Sequence, residues 1–120
     1  MITVIGLGVE KGDLTKRGEA ALLQAVQAGR PILVRTANTQ SYQTVLEMGI
    51  KHECLDRVYE SSRNFATLAK NLAKAVAEKG DDAVYLVDGA ATEDNSVKAL
   101  LKRMRGKVEI IDGVSKTTVL

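Results

Sequence analysis

The sequence predicts a three-layer α/β fold in which a mainly parallel, five-stranded sheet is covered by helices on both faces. Segments with the patterns of a strand and of a helix alternate five times along the 120 residues, which is typical of this architecture. The fourth strand, residues 82–88, is apolar on both faces, as expected of a central strand in a parallel sheet. The length suits a single α/β domain over residues 1–120.

The first strand and the turn after it are the most informative stretch. Residues 2–6 are rich in β-branched side chains and end in a glycine, so they are predicted to form a buried strand. Gly8 and Gly12 allow the backbone to turn tightly and to approach a ligand, and Asp13 or Thr15 can cap the helix that follows. The spacing is GxGxxxG rather than the GxGxxG of dinucleotide-binding turns, so the motif alone indicates only an adenosine-cofactor or phosphate site.

A helix over residues 14–28 and a strand over residues 31–36 come next. The helix ends at Gly29, a typical position for a glycine beyond a helix C-terminus. One apolar face predicts it, made of Ala21, Leu22, Ala25 and Val26.

The middle of the chain predicts shorter elements and then a long helix. A short helix is capped by Thr39 or Ser41 and ended by Gly49, and a short third strand occupies residues 52–55. Residues 64–79 have apolar side chains at helical spacing, and Gly80 follows as the C-cap.

The last two strands are each followed by a turn of small residues. The turn Gly89-Ala90-Ala91 follows the fourth strand, and Thr92 is expected to cap a helix whose first turn contains Glu93 and Asp94. That helix is expected to end near residues 105–106. A fifth strand over residues 107–111 then leads into the turn Asp112-Gly113-Val114-Ser115.

These turns are expected to meet at one edge of the sheet. Right-handed crossovers place every strand-to-helix turn at the carboxyl ends of the strands, which is where open α/β sheets bind ligands. The segments 6–12, 89–91 and 112–115 are therefore predicted to form the floor of a ligand site.

Composition argues against several classes of partner. A net charge of +2, three tyrosines and one phenylalanine do not suit a nucleic-acid surface. The chain begins without a basic segment or a long apolar run, so neither a signal peptide nor a membrane span is expected, and the cytoplasm is the expected compartment. It stops at Val119 and Leu120, apparently within a new element, so we expect a fragment of a longer protein.

The reactive side chains exclude several chemistries. His52 and Cys54 lie side by side on a predicted strand, so they suit neither a catalytic triad nor a four-ligand zinc site, and no metal is expected. No P-loop sequence is present. Methyl transfer from a sulfonium remains possible, because positioning and backbone contacts can do most of that work.

A nicotinamide site would require an acidic residue at the end of the second strand. Arg35 and Thr36 stand there instead, a pair that suits only a 2′-phosphate. Two carboxylates near the ligand edge could form a catalytic pair, although helix capping accounts for Glu93 and Asp94. The candidates are Asp88, Glu93, Asp94 and Asp112.

Four segments, taken in order, resemble the N-terminal domain of the tetrapyrrole (corrin/porphyrin) methylase family. They are ITVIGLG with a later LT; PILVRT; the run from Gly49 through Asp56 and Tyr59 to a helix containing Phe65; and VYLVDG followed by VEIIDGVS. Together they span nearly the whole chain. The likeness is closest to the branch fused to a MazG-like nucleoside-triphosphate pyrophosphohydrolase.

The resemblance implies a sheet of order 3-2-4-1-5, a second domain absent from this chain, and S-adenosylmethionine as the cofactor. In the family the cofactor lies between the two domains against the turns after the first, fourth and fifth strands. Carried over to this sequence, the cofactor-binding residues are Leu7, Gly8, Val9, Gly89, Ala90, Ala91, Asp112, Gly113, Val114 and Ser115.

All three turns depart from the family pattern. The family's glycine-x-glycine-proline-glycine-aspartate is replaced after Gly8 by Val9, Glu10 and Lys11. The fourth turn, usually proline-glycine-x-proline, contains no proline, and Asp112 replaces the proline before Gly113. Loss of proline leaves such loops less preorganised.

Three hypotheses of function follow, and no catalytic base is nominated for any of them. The first is an S-adenosylmethionine-dependent methyltransferase domain, inactive alone, acting on a tetrapyrrole-like or other planar acceptor. The second is a degenerate, non-catalytic module that senses a ligand or supports dimerisation for an attached pyrophosphohydrolase. A nucleotide-dependent oxidoreductase is a third reading, based only on GxGxxxG and Arg35. We also expect a homodimer that binds neither nucleic acid nor membrane.

Overall fold

The computed structural model describes residues 1–9, 13–62 and 64–111. In this part of the chain five strands form a single sheet with parallel pairing throughout. The strands are β1 (Ile2–Gly6), β2 (Ile32–Val34), β3 (Glu53–Cys54), β4 (Val84–Val87) and β5 (Val108–Ile111). Their order is β3-β2-β4-β1-β5, which confirms both the fold class and the strand order that the family resemblance implied.

Helices cover both faces of this sheet. They are α1 (Lys16–Gln27), α2 (Tyr42–Met48), α3 (Asp56–Ser61), α4 (Phe65–Lys79) and α5 (Asn95–Arg103), with a short 3-10 helix (Ala91–Glu93) before α5. Buried side chains of α1 and α2 pack on one face, and those of α3, α4 and α5 pack on the other. None of the helices within the described ranges is long and apolar enough to cross a bilayer.

Strand β4 lies in the middle of the sheet, and its side chains alternate between the two layers. Val84 and Leu86 pack with α1 and α2, whereas Tyr85 and Val87 pack with α3, α4 and α5. All four residues are 0% exposed. Burial on both faces explains why this strand has a continuous apolar run instead of polar alternation, as the prediction of a central strand required.

The predicted start of the last helix is wrong. A 3-10 turn intervenes, and Asp94, not Thr92, is the N-cap of α5. The Asp94 Oδ1 atom accepts hydrogen bonds from the N–H groups of Ser96 (2.8 Å) and Val97 (3.3 Å). Asp94 therefore lies before the helix and not in its first turn, and the Glu93 side chain lies outside the described part of the molecule.

Several other boundaries also differ. Val26 was expected on the buried face of α1 but is 39% exposed, whereas Leu22 and Ala25 are buried and Ala21 packs partly against the same core. Helix α3 was not predicted as a separate helix, since six residues are too few to display apolar periodicity. Ser41 is at the N-cap position of α2 but its side chain makes no capping hydrogen bond.

Other predictions at helix ends are confirmed. The Thr15 hydroxyl accepts a hydrogen bond from the Gly18 N–H at 3.0 Å and so caps α1. Gly49 ends α2 in the left-handed conformation, and Gly80 is the C-cap of α4.

Candidate functional site

The turns after β1 and β4 meet through two glycines. The Gly8 N–H donates to the Gly89 carbonyl at 3.3 Å, and the Gly89 N–H donates to the Gly8 carbonyl at 2.7 Å. Both residues have positive φ, +82° at Gly8 and +71° at Gly89. Since β1 and β4 are neighbours in the sheet, this antiparallel bridge joins two of the predicted site turns at its carboxyl edge.

The side chain of Asp13 packs on the first turn. A Cβ atom placed on Gly8 would lie 2.3 Å from the Asp13 Cβ, a separation that real side chains do not reach. The Asp13 Oδ2 atom also accepts a hydrogen bond from the Val9 N–H at 3.2 Å. A glycine is therefore required at position 8 for both its φ and its lack of a side chain.

Most N–H groups of these turns already have acceptors. The Leu7 N–H donates to the Val87 carbonyl at 2.8 Å, and the N–H groups of Gly8, Val9 and Gly89 are engaged as described above. A ligand at these four residues would contact free lone pairs of carbonyl oxygens, or the small side chains, instead of these donors.

The predicted site residues differ in accessibility. Leu7, Ala90 and Ala91 are buried, with exposures of 1%, 5% and 0%, whereas Val9 is 36% exposed. Leu7 and Ala91 are part of the two apolar cores, so their side chains support the turns from beneath. The third predicted turn, Asp112-Gly113-Val114-Ser115, lies outside the described residues, as do Glu10 and Lys11.

A partly buried ionic cluster lies beside the fourth turn and is centred on Arg35, which directly follows β2. Its guanidinium donates through Nη2 to Asp88 Oδ1 and through Nη1 to the Tyr59 hydroxyl. Its Nε atom is 3.2 Å from Asp94 Oδ2, an ionic contact in which the N–H is not aligned for a hydrogen bond. The side chains of Arg35, Asp88 and Asp94 are only 20%, 7% and 9% exposed.

The charges in this cluster stabilise one another. Burial by itself lowers the pKa of Arg35, but the hydrogen bond to Asp88 and the charges of Asp94 and Asp88 outweigh it and raise that pKa above its ordinary value. Burial raises the pKa of Tyr59, and the adjacent Arg35 charge only partly opposes the effect. Arg35 is therefore a permanent cation held between two carboxylates.

The cluster bears on two of the sequence-based alternatives. Asp88 and Asp94 do come close together, but both carboxylates face Arg35, so they form ion pairs and not a free acid–base pair. Arg35 is thus already engaged, and a 2′-phosphate would have to displace a carboxylate to reach it. This weighs against the oxidoreductase reading. The cluster was missed, although strand order 3-2-4-1-5 puts the ends of β2 and β4 side by side.

An open cleft of about 680 Å³ lies at the carboxyl ends of β1, β2 and β4. Asp56 shapes one wall, because its carboxylate accepts hydrogen bonds from the Thr36 hydroxyl and from the Ala37 N–H (3.1 Å). The volume is in the range usual for small-molecule sites. The lining residues are Val9, Arg35, Thr36, Asn38, Thr39, Gln40, Asp56, Tyr59, Glu60 and Asp88.

The His52 and Cys54 side chains meet at Tyr42, away from this cleft. His52 Nδ1 is 2.7 Å from the Ile50 carbonyl and therefore carries the proton, so His52 Nε2 accepts from the Tyr42 hydroxyl, also at 2.7 Å. The Cys54 thiol donates to the same hydroxyl at 3.6 Å. Among the described residues, no group of three or more His, Cys, Asp or Glu side chains is placed to hold a metal.

The strand order and the helices on both faces of the parallel sheet define an α/β fold. The chain is similar to the crystal structure of the methyltransferase CobJ, with a TM-score of 0.53 and 20% sequence identity. The match covers 95% of this chain and 46% of that protein, so the chain spans about half of its length. At this identity the likeness establishes the fold alone. No protein-family model matches the sequence, and no curated protein matches it.

Proposed function

We propose that this chain is the N-terminal, cofactor-binding half of an S-adenosylmethionine-dependent methyltransferase of the tetrapyrrole methylase type. The Gly8–Gly89 bridge is the observation that supports it most, because it joins the turns after two adjacent parallel strands, where such sheets bind ligands. The fold is that of a solved methyltransferase, and the chain spans about half of that protein. A second domain would complete the cleft, so the chain alone is inactive.

The residues present fit this cofactor. The cleft has room for a small molecule, and it is lined by Val9 and Asp88, which are the chain neighbours of the bridged Gly8 and Gly89. Val9 lines the cleft and is the most accessible of the described turn residues. When bound, S-adenosylmethionine supplies the methyl group.

The protein's own residues position the cofactor and its acceptor. Residues 7–9, 89–91 and 112–115 hold the cofactor, and the walls of the cleft hold a planar, tetrapyrrole-like acceptor. The Asp56 carboxylate keeps the wall at residues 36–37 in place through its two hydrogen bonds.

Calorimetric titration of the intact protein with S-adenosylhomocysteine tests the proposal. We expect binding at or below millimolar ligand, and a loss of affinity of about tenfold or more in Val9→Asp, because a carboxylate there repels the methionyl carboxylate. Val26→Asp is the matched control, since Val26 is similarly exposed (39% against 36%) but lies on α1. Absence of binding by the folded protein, or equal effects of the two substitutions, contradicts the proposal.

The second candidate is a non-catalytic module that senses a ligand or supports a homodimer next to a MazG-like pyrophosphohydrolase. The occupied N–H groups of Leu7, Gly8, Val9 and Gly89 favour it, because they leave the turns with few donors for a cofactor. Altered hydrolase kinetics and a loss of the dimer after deletion of residues 1–120 would support it. A methylated product from the unmodified protein would exclude it.

A further inference from the structure

The fourth turn is held at both of its ends by one side chain. Asp88 directly precedes Gly89, and Asp94 directly follows the 3-10 helix that ends the turn. Both carboxylates contact the Arg35 guanidinium, Asp88 through Nη2 and Asp94 through Nε. Arg35 thus bridges the two ends of a turn to which it is not adjacent in sequence.

The guanidinium is itself fixed by three elements. Tyr59 on α3 accepts from Nη1, Asp88 lies at the end of β4, and Asp94 caps α5. The two carboxylate oxygens of Asp94 have different partners. Oδ1 accepts from the Ser96 and Val97 N–H groups, whereas Oδ2 faces Arg35. A planar group with five donors suits this arrangement, and a single ammonium does not.

The turn contains no proline that would restrict its backbone. Its residues are Gly89, Ala90 and Ala91, and the single proline of the chain is Pro31, on a different loop. Glycine loses more conformational freedom on ordering than any other residue, so a turn of this composition requires a constraint from outside. The Gly8–Gly89 bridge and the burial of Ala91 supply two constraints, and the Arg35 contacts at residues 88 and 94 supply a third.

We propose that Arg35 is a positioning residue that preorganises the fourth turn for cofactor binding, in place of the prolines absent from it. The functional part of this inference rests on the proposed function, while the constraint on the turn does not. Preorganisation raises affinity by removing the ordering cost from the binding step. Loss of the Arg35 contacts should therefore lower the affinity for the cofactor more than it lowers the stability of the whole fold.

The test compares Arg35→Lys with Arg30→Lys in the intact protein. Arg30 is a matched control because its guanidinium also bridges separate segments, from Nε to the Asp82 carbonyl (2.6 Å) and from Nη2 to the Met1 carbonyl (2.8 Å). We expect amide exchange in residues 84–94 to rise about tenfold or more in Arg35→Lys and to stay unchanged in Arg30→Lys. S-adenosylhomocysteine affinity should fall about tenfold or more in Arg35→Lys alone.

The outcomes separate this inference from the proposed function. If the unmodified protein does not bind S-adenosylhomocysteine, the proposed function fails and the exchange comparison alone decides whether Arg35 constrains the turn. If the two variants change exchange in residues 84–94 equally, Arg35 has no special role there. Should Arg35→Lys not fold, Asp94→Asn replaces it, since asparagine preserves the helix cap while removing the charge that faces Arg35. Unchanged exchange in that variant overturns the inference.

Discussion

Gly8 and Gly89 lie 81 positions apart in the sequence and are joined by a pair of backbone hydrogen bonds of 3.3 and 2.7 Å. This bridge extends the β1–β4 pairing beyond Gly6 and Val87, into the turns that follow these strands. The bridge therefore connects the sheet directly to the turns of the candidate site.

Gly8→Ala is expected to lower the free energy of unfolding by roughly 3 kcal/mol or more, because the left-handed conformation costs about 1–2 kcal/mol and the new Cβ overlaps Asp13. Gly29→Ala is the matched control, since Gly29 has a φ of +72° and no atom within 4 Å of an added Cβ. It should cost only about 1–2 kcal/mol. Urea denaturation of both variants checks this, and equal losses would show that Asp13 does not restrict position 8.

Asp94→Ala is expected to destabilise the protein more than the removal of another helix cap. Asn64→Ala removes the side-chain acceptor of the Thr67 N–H on α4 (2.9 Å) and should cost about 1 kcal/mol. Asp94→Ala removes the cap of α5 and also an anion beside the buried Arg35, so about 1–2 kcal/mol more is expected. Thermal unfolding measures both, and similar losses would mean that the Arg35–Asp94 contact adds nothing to stability.

All three tyrosines should resist ionisation in the folded protein. Burial raises the pKa of Tyr85 well above its usual value and raises that of Tyr59. Interaction with the Cys54 sulfur, followed by burial, raises the pKa of Tyr42 to about 12. Absorbance at 295 nm should therefore change little through pH 10, the usual tyrosine pKa, while the guanidinium-unfolded chain titrates there.

The same shifts make stability fall at alkaline pH. Above pH 10 the unfolded chain releases tyrosine protons that the folded protein retains, so the unfolded state binds fewer protons and stability falls as the pH rises. Below pH 10 these groups contribute no pH dependence. When urea midpoints are measured from pH 8 to 11.5, the tyrosines should cause no change up to about pH 10 and a decline above it. Full ionisation of the native protein at pH 10 would contradict the burial of Tyr85.

Asp56→Ala is expected to loosen the wall of the cleft without unfolding the domain. The substitution removes the acceptor for the Thr36 hydroxyl and for the Ala37 N–H, at a cost of about 2 kcal/mol. Amide exchange at residues 36–40 should rise. Glu60→Ala, at an exposed residue of the same cleft, should leave that exchange unchanged.

Local patterns in the sequence determined the fold class and most of its elements. The apolar run of β4 indicated a central strand, and Thr15, Gly49 and Gly80 marked helix ends correctly. These signals involve residues within a few positions of one another, so periodicity and capping chemistry suffice to recognise them. The order of the strands came from the family resemblance and was confirmed.

Only the tertiary structure decided which distant side chains meet. Arg35 and Asp88 are separated by 53 positions, and their contact exists because β2 and β4 are neighbours in the sheet. The N-cap of α5 belongs to the same cluster. One Asp94 oxygen accepts a hydrogen bond from the Ser96 N–H, and the other contacts Arg35. Sequence patterns report local preference, whereas pairing between distant residues follows from strand order and shared burial. The meeting of the first and fourth turns at Gly8 and Gly89 was therefore foreseeable, whereas the side-chain contacts of the ionic cluster were not predicted.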